Sequence, residues 1–196
     1  MLKDKEQLGD SPIYLYRNFL TPERCIEYIN FFESNSQFWN ETPSDGVFGM
    51  GFELPLQFKD DSPVLRSDLN FIIDTFTKVT AEAHNTEVQL NELHAAKWST
   101  GSYGDYHADD SDLDGNDNGG THNIFSTILY LNNDYQGGEV YFKNQDVALK
   151  LDPGTILTFK GDLNNVHRIN EVLSGTRYNV ISFFNIKQEN QSIQNQ

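Results

Sequence analysis

Residues 127–142 read TILYLNNDYQGGEVYF, in which two runs rich in β-branched and aromatic residues flank a polar segment with two glycines. Runs of this composition are typical of β-strands, and the segment between them is typical of a turn. Similar runs extend outward from about residue 87 to residue 187. Strands that do not alternate with helices exclude a doubly wound sheet and favour a jelly roll or barrel. The runs are EVQLNELHAAKW (87–98), HNIFSTILYLN (122–132), GGEVYF (137–142), GTILTFKG (154–161) and TRYNVISFFNI (176–186).

Two helices are predicted before these strands. The sequence TPE (21–23) offers an N-cap, a proline at the first helical position and an acid in the first turn, and SP (62–63) repeats the first two signals. The preceding SPIYLYRNFL (11–20) is typical of a short strand. Residues 40–61, between the helices, form a long irregular segment, which is more often a functional loop or lid than a connector. We expect a mainly β protein, a jelly roll with N-terminal helices packed on it.

The composition limits the compartment and the partners. The chain has 196 residues and a formal net charge of −15, which repels nucleic-acid backbones and anionic membranes. Cys25 is the single cysteine and cannot form an internal disulfide, and no signal peptide or run of ~20 apolar residues is present. We therefore expect a soluble cytoplasmic protein, one domain over residues 1–187 with a disordered polar tail at 188–196.

His107 and Asp109 form an H-x-D triplet within YHADD (106–110). Residues i and i+2 of a strand point to the same side, so the two side chains can bind one ion together. His167 follows the strand GTILTFKG, and a jelly roll can bring it beside the first pair on an adjacent strand. Two imidazoles and one carboxylate then form the facial triad that holds non-haem Fe(II). The alternative is that YHADD is only the polar edge of an acidic, solvated loop.

The segment 110–121 offers a second candidate cation site. Its oxygen donors match the opening of a calcium-binding loop, D-x-D-x-D-G. Thr121 stands where such a loop needs a bidentate Glu, and a strand rather than a helix follows. A flexible acidic loop beside the iron site is the favoured interpretation, and weak calcium binding stays open.

Arg177, at the start of the last predicted strand, requires an anionic partner if it lies inside a barrel mouth, because an unpaired buried charge is costly. A bound ligand is the preferred partner, and a surface Asp is the alternative. Three further histidines have no carboxylate at ligand spacing. We expect His84 to be exposed at a helix C-terminus, where a cation is mildly favoured, and His94 and His122 to be hydrogen-bonded surface or core residues.

Together these residues resemble the 2-oxoglutarate and Fe(II)-dependent dioxygenases, specifically their prolyl 4-hydroxylase-like branch. The similarity covers nearly the whole chain, because IYLYRNFLTPERCIEYI (13–29) also resembles the N-terminal strand and helix of the family. The motifs that carry it are H-x-D at 107–109, TILYLNNDYQGGEVYF at 127–142, DPGTILTF at 152–159, and His167 followed by Val172, Gly175 and Arg177.

The resemblance implies a double-stranded β-helix with a catalytic core over about residues 87–187. It implies that iron is held by His107, Asp109 and His167, and that Arg177 binds the distal carboxylate of 2-oxoglutarate. It also implies that the hydroxyl of Tyr130 reaches that carboxylate.

Some positions depart from the family pattern. Trp98 stands nine residues before the first histidine, where a Tyr is common, so we expect an altered wall of the cofactor pocket. Arg177 replaces the Lys of collagen-type enzymes. Tyr103 is displaced by one residue from a family aromatic and receives no role. Asn179 and Thr158 are candidates to line the pocket.

The resemblance implies hydroxylation of a C–H bond, of a peptidyl proline by preference, with consumption of O2 and release of succinate and CO2. Ascorbate is a candidate further cofactor, and a peptide or protein is the expected partner. The segments 40–61 and 110–121 are the expected substrate-selecting loops. Three alternatives are a non-catalytic cupin-like binding module, a small-molecule or free amino-acid hydroxylase, and a nucleic-acid demethylase, which the charge of −15 disfavours.

Overall fold

A computed structural model describes residues 5–35 and 63–188 of the chain, with the side chains of 63–68 left undescribed. The predicted loop at 40–61 and most of the predicted tail lie outside the described residues. The division into a domain over residues 1–187 and a tail at 188–196 therefore stays a prediction. No helix within the described ranges is long and apolar enough to cross a membrane.

Both predicted helices are present, α1 over Pro22–Ser34 and α2 over Pro63–His84. Thr21 caps α1, because its hydroxyl oxygen accepts a hydrogen bond from the backbone N–H of Arg24 at 3.3 Å. One face of α1 buries Cys25, Tyr28 and Phe32 against the rest of the protein. The start signals in the sequence therefore locate these helices correctly.

The rest of the described chain is strand and turn, and every strand pairing is antiparallel. A six-stranded sheet has the order β1-β2-β9-β5-β12-β3, a four-stranded sheet has the order β4-β10-β7-β8, and β6 pairs with β11. The strands are β1 (Lys5–Gln7), β2 (Ile13–Tyr16), β3 (Val88–Ser99), β4 (Gly104–His107), β5 (Phe125–Tyr130), β6 (Gln136–Gly137), β7 (Val140–Phe142), β8 (Val147–Leu149), β9 (Ile156–Lys160), β10 (His167–Ile169), β11 (Val172–Ser174) and β12 (Thr176–Ile186).

The six-stranded sheet buries both of its faces. Its outer face packs on the helices, so that Leu129 and Val180 share a core with Phe76 of α2. Its inner face packs on the four-stranded sheet, where Leu157 shares a second core with Phe142. Two antiparallel sheets packed around one interior, with helices on the outer side, confirm the predicted jelly-roll fold.

Two expectations about individual residues are wrong, and both residues lie on the helix side of the six-stranded sheet. Thr158 accepts a hydrogen bond from the hydroxyl of Thr127 at 2.8 Å. The hydroxyl of Thr127 is also hydrogen-bonded to that of Thr80 on α2, at 2.6 Å. Thr158 therefore lies under α2 rather than in a pocket. His84 stacks on Phe125, with 4.5 Å between ring centroids, and burial lowers its pKa to about 4. It is a neutral packing residue rather than an exposed cation.

Candidate metal centre and cofactor pocket

The four-stranded sheet brings the two predicted histidine ligands together. Strands β4 and β10 are neighbours, and their register places His107 opposite His167, with 4.3 Å between the ring centroids. Oδ1 of Asp109 lies 3.5 Å from Nε2 of His107 and 3.9 Å from Nε2 of His167. One ligand atom from each residue lies within 4.8 Å of the others. This geometry fits one metal ion bound by all three residues. The role of His107, Asp109 and His167 as metal ligands stays a prediction.

Both imidazoles are oriented by the backbone. Nδ1 of His107 lies 2.7 Å from the carbonyl oxygen of Asp105, and Nδ1 of His167 lies 3.0 Å from that of Asn165. A carbonyl oxygen can only accept, so each Nδ1 carries the proton and each Nε2 directs its lone pair toward Asp109. Burial, followed by the nearby His107, lowers the pKa of His167 to about 4, which favours the neutral form that binds metals.

Asp109 is held by two residues that sequence reasoning did not single out. The hydroxyl of Ser126 on β5 donates to Oδ2 of Asp109. The backbone N–H of Asp109 donates to the carbonyl oxygen of Gly161 at 2.8 Å. A Cβ at position 161 would lie 2.6 Å from the carbonyl oxygen of Asn123 and 2.9 Å from Cβ of Asp109, so only glycine fits there. The sequence shows Gly161 merely as a turn residue and gives no sign of the role of Ser126.

Arg177 lies on the inner face of the six-stranded sheet and is only 1% exposed. Its register partner on β3 is Trp98, and its guanidinium carbon lies 5.5 Å from the Trp98 ring and 5.3 Å from the Tyr130 ring. Nη2 of Arg177 lies 3.4 Å from the hydroxyl of Tyr130, while Nε and Nη1 have no hydrogen-bond partner among the described residues. Arg177 is therefore in contact with both of the other predicted pocket residues, and Trp98 forms a wall for the guanidinium.

The groups around Arg177 fit a bound carboxylate. No carboxylate among the described residues forms an ion pair with Arg177, and the alternative of a surface Asp partner stays untested for the residues outside the described ranges. Asn179, two residues along the same face, is fully buried, and within the part of the chain that the structure describes neither polar atom of its amide has a partner. Buried polar groups are normally hydrogen-bonded, and a buried cation needs a counter-charge. A carboxylate ligand would supply the counter-charge and would accept hydrogen bonds from the guanidinium and from Nδ2 of Asn179. The candidate role of Asn179 as a lining residue agrees with its position.

Tyr135 and His94 also belong to this interior, although sequence reasoning gave neither a role there. Burial raises the pKa of Tyr135 to about 12, and the charge of the neighbouring Arg177 opposes that rise. His94 lies opposite Ile181, and its ring centroid is 5.5 Å from that of Phe183. Burial lowers the pKa of His94 to about 4, while the charge of Asp109 acts in the other direction. His94 therefore adds a neutral imidazole to the inner wall.

The acidic segment at 110–121 is stabilised by hydrogen bonds among its own residues. Oδ1 of Asp112 accepts from the backbone N–H of Asp114 at 2.9 Å and of Asn116 at 2.8 Å. Hydrogen bonds from Asn116 lower the pKa of Asp112. These contacts are typical of a self-stabilised turn, which agrees with the interpretation as an acidic loop. His122, beside the loop, is exposed.

The fold is similar to that of the prolyl 4-hydroxylases. Residues 93–185, just under half of the chain, match the model of the 2OG-Fe(II) oxygenase superfamily, and the protein is accordingly an oxygenase that uses Fe(II) and 2-oxoglutarate. The cofactor and co-substrates of the enzyme are accordingly Fe(II), 2-oxoglutarate and O2. A search of curated protein sequences found no match.

Solved structures show the same fold. A Pseudomonas putida prolyl-4-hydroxylase matches with a TM-score of 0.66 and 15% identity, over 92% of this chain and 96% of its own. The viral collagen prolyl hydroxylase of Paramecium Bursaria Chlorella virus-1, in its 2OG complex, matches with a TM-score of 0.64 and 15% identity, over 91% and 98%. A Trichoplax adhaerens prolyl hydroxylase, in complex with a hypoxia inducible factor peptide fragment, matches with a TM-score of 0.61 and 18% identity, over 92% and 86%.

Proposed function

We propose that the protein hydroxylates a peptidyl proline, with conversion of 2-oxoglutarate and O2 to succinate and CO2. The observation that carries the proposal is one interior with two complementary parts, a His-Asp-His cluster and a buried guanidinium that has no carboxylate partner among the described residues. The choice of proline and of a peptide is supported by the structural neighbours, which are prolyl hydroxylases, one of them in complex with a peptide.

Each part of the site has a distinct task in this proposal. His107, Asp109 and His167 would hold Fe(II), each with one ligand atom. Arg177 and Tyr130 bind the distal carboxylate of 2-oxoglutarate. The bound iron, with its co-substrates, supplies the oxidation of an unactivated C–H bond, and the protein supplies ligation, orientation and shielding from water.

Trp98 provides a flat wall beside Arg177. Burial raises the pKa of the Tyr130 hydroxyl and the charge of Arg177 lowers it in part, so Tyr130 remains a protonated donor at neutral pH. A protonated hydroxyl beside a guanidinium provides two donors for one carboxylate, which is a charge-assisted arrangement.

The cofactor assignment is tested by adding Fe(II) and 2-oxoglutarate to the protein without oxygen and recording the visible charge-transfer band of the chelate. We expect the band in the wild type, its loss in His167→Ala, and a large weakening in Arg177→Ala, because that variant removes the counter-charge of the distal carboxylate. Arg17→Ala, a change of the same type at an exposed ion pair, is the matched control and should leave the band intact. A folded wild type without the band would contradict the assignment.

The substrate is tested with proline-containing peptides, aerobically, by following the gain of one oxygen atom by mass and the formation of succinate. Proline peptides that stay unmodified, while free amino acids or small molecules gain oxygen, would favour the alternative of a small-molecule hydroxylase. Metal binding without any coupled turnover would favour the cupin-like binding module. A stimulation by ascorbate can be measured in the same assay.

The loops and the compartment remain predictions. The segment 110–121 follows the metal ligands directly, which supports a place at the mouth of the site. A reducing, cytoplasmic compartment is supported by Cys25, which is buried as a free thiol. Nucleic acid and membranes are not expected partners, and the support is the net charge of −15.

A further inference from the structure

The back of the four-stranded sheet carries a cluster of side chains directly behind the metal centre. Successive residues of a strand point to opposite faces, so the neighbours of the two histidines lie on the outer face. Tyr106 precedes His107 on β4, and Arg168 follows His167 on β10. Tyr141 on β7 is the register partner of Arg168. Three adjacent strands therefore contribute one residue each to this cluster.

The guanidinium of Arg168 lies against both tyrosine rings. Its central carbon is 4.9 Å from the ring centroid of Tyr106 and 5.2 Å from that of Tyr141. The two rings are 6.3 Å apart and tilted by 62°. A guanidinium stacks favourably on aromatic faces, so Arg168 joins β4 to β7 across β10.

The cluster is held in place by hydrogen bonds at its ends. Nε of Arg168 donates to Oδ1 of Asn170 at 3.0 Å, and Nδ2 of Asn170 donates to Oε2 of Glu139 at 3.2 Å. The hydroxyl of Tyr141 donates to Oδ1 of Asp146 at 2.7 Å. The guanidinium and one of its two rings therefore each have a fixed orientation.

The backbone pairing in front of this cluster is short. Strands β4 and β10 share two register pairs, His107 with His167 and Gly104 with Ile169, and the register shifts between them. An irregularity in a ladder weakens the local pairing and lets a strand bend. The spacing of the two histidines therefore depends on contacts beyond the ladder itself.

We infer that Arg168, packed against both Tyr106 and Tyr141, is a positioning residue that fixes the spacing of His107 and His167 and so sets the metal affinity. The inference rests on the proposed function, since it takes these two histidines as metal ligands. Groups that orient metal ligands typically contribute about 10–100-fold to affinity. Because Arg168 acts through strands rather than by touching a ligand, we expect an effect of about tenfold, the low end of that range.

The sign of the effect separates positioning from simple electrostatics. Loss of a positive charge near a cation site, by itself, strengthens binding of the cation. Loss of the stack weakens binding, because the two imidazoles are no longer held at one spacing. Arg168→Ala changes both, so a net weakening can come only from the structural role.

The experiment is a titration with Co(II), followed by its visible absorption, which reports metal binding without any turnover. We expect Arg168→Ala to bind Co(II) about tenfold more weakly than the wild type. Arg24→Ala is the matched control. It also removes one positive charge and one contact between a guanidinium and a tyrosine ring, since the central carbon of Arg24 lies 5.3 Å from the ring centroid of Tyr28. This contact is on α1, away from the metal centre. It should bind Co(II) as the wild type does.

A pair of variants at Tyr106 gives a second reading that does not depend on charge. Tyr106→Phe keeps the ring and should retain wild-type affinity, while Tyr106→Leu removes the ring and should weaken binding. Co(II) binding to Arg168→Ala or Tyr106→Leu that equals or exceeds that of wild type would overturn the inference. Failure of the wild type to bind Co(II), or undiminished binding in His167→Ala, would instead overturn the proposed ligand set.

Discussion

At the scale of single residues, the carboxylate of Asp109 has two differently held oxygen atoms. Oδ1 faces both imidazoles, and Oδ2 accepts from Ser126. A hydrogen bond to a charged acceptor is roughly twice as strong as a neutral one, so Ser126 fixes the rotation of the carboxylate. We expect Ser126→Ala to weaken Co(II) binding by about tenfold, measured by absorption titration.

The control for that change lies on the other face of the same sheet. Ser182 is a buried serine whose hydroxyl donates to the carbonyl oxygen of Thr127 at 3.2 Å, on the helix side. Ser182→Ala should leave Co(II) affinity unchanged and lower only the melting temperature. Equal losses of affinity in the two variants would show that the effect of Ser126 is a general loss of packing.

Residue-scale prediction from sequence succeeded where a motif fixes the geometry. His107 and Asp109 lie on one side as their spacing predicted, although Asp109 is past the end of β4, and their place beside His167 follows from the strand order of a jelly roll. It failed for Thr158 because β9 is buried on both faces, so its composition does not reveal which residues face the interior. Ser126 could not be found, since its contact with Asp109 depends on how a strand packs against a loop.

At the scale of elements, the C-terminal end of α2 packs on the six-stranded sheet through His84. Its pKa in the folded protein is about 4, because of burial first and of the nearby Lys5 and Lys160 second. The unfolded chain binds this proton near the ordinary pKa of ~6.5, so it holds more protons than the folded chain between pH 6.5 and 4. Stability is therefore lost as the pH falls through that window and is unaffected above it.

His84→Phe keeps a ring against Phe125 and removes the titration. We expect the wild type to lose about 1–2 kcal/mol more stability than this variant between pH 7 and pH 4.5, measured by urea unfolding at both pH values. His94 and His167 also have lowered pKa values and contribute to the loss in both proteins, so the difference isolates His84. Identical losses in the two proteins would contradict this role for His84.

Element-scale prediction depended on length. The two helices and the long strands β3, β5, β9 and β12 have enough residues to show a period, and they were located from the sequence. The strands β1, β4, β8, β10 and β11 have only three or four residues each, and no period can be read from so few. Two of these short strands, β4 and β10, carry His107 and His167, the two predicted metal ligands, so the surroundings of the candidate site were less predictable than these two residues.

At the scale of the whole molecule, the jelly roll depends on the N-terminal region. The predicted core at 87–187 lacks β2, which pairs with β9, and both helices that cover the outer face of the six-stranded sheet. A fragment of residues 87–187 would expose that face, so we expect no cooperative thermal transition and strong binding of a hydrophobic dye. The test compares the fragment with the full chain, by thermal unfolding followed by circular dichroism and by the fluorescence of the added dye. A fragment that unfolds cooperatively would contradict the prediction.

The position of β12 has a consequence for the order of assembly. This strand is the last along the described chain, yet it lies between β5 and β3, and β3 has no other neighbour in its sheet as described. During synthesis the edge of β5 must therefore stay open until residues 176–186 have left the ribosome, and open edges invite wrong pairing. Arg177 lies on this same strand, so the sheet closes and the buried guanidinium enters the interior in one late step. Because this step pairs strands that are far apart in sequence, we expect refolding to be slow for a chain of this size.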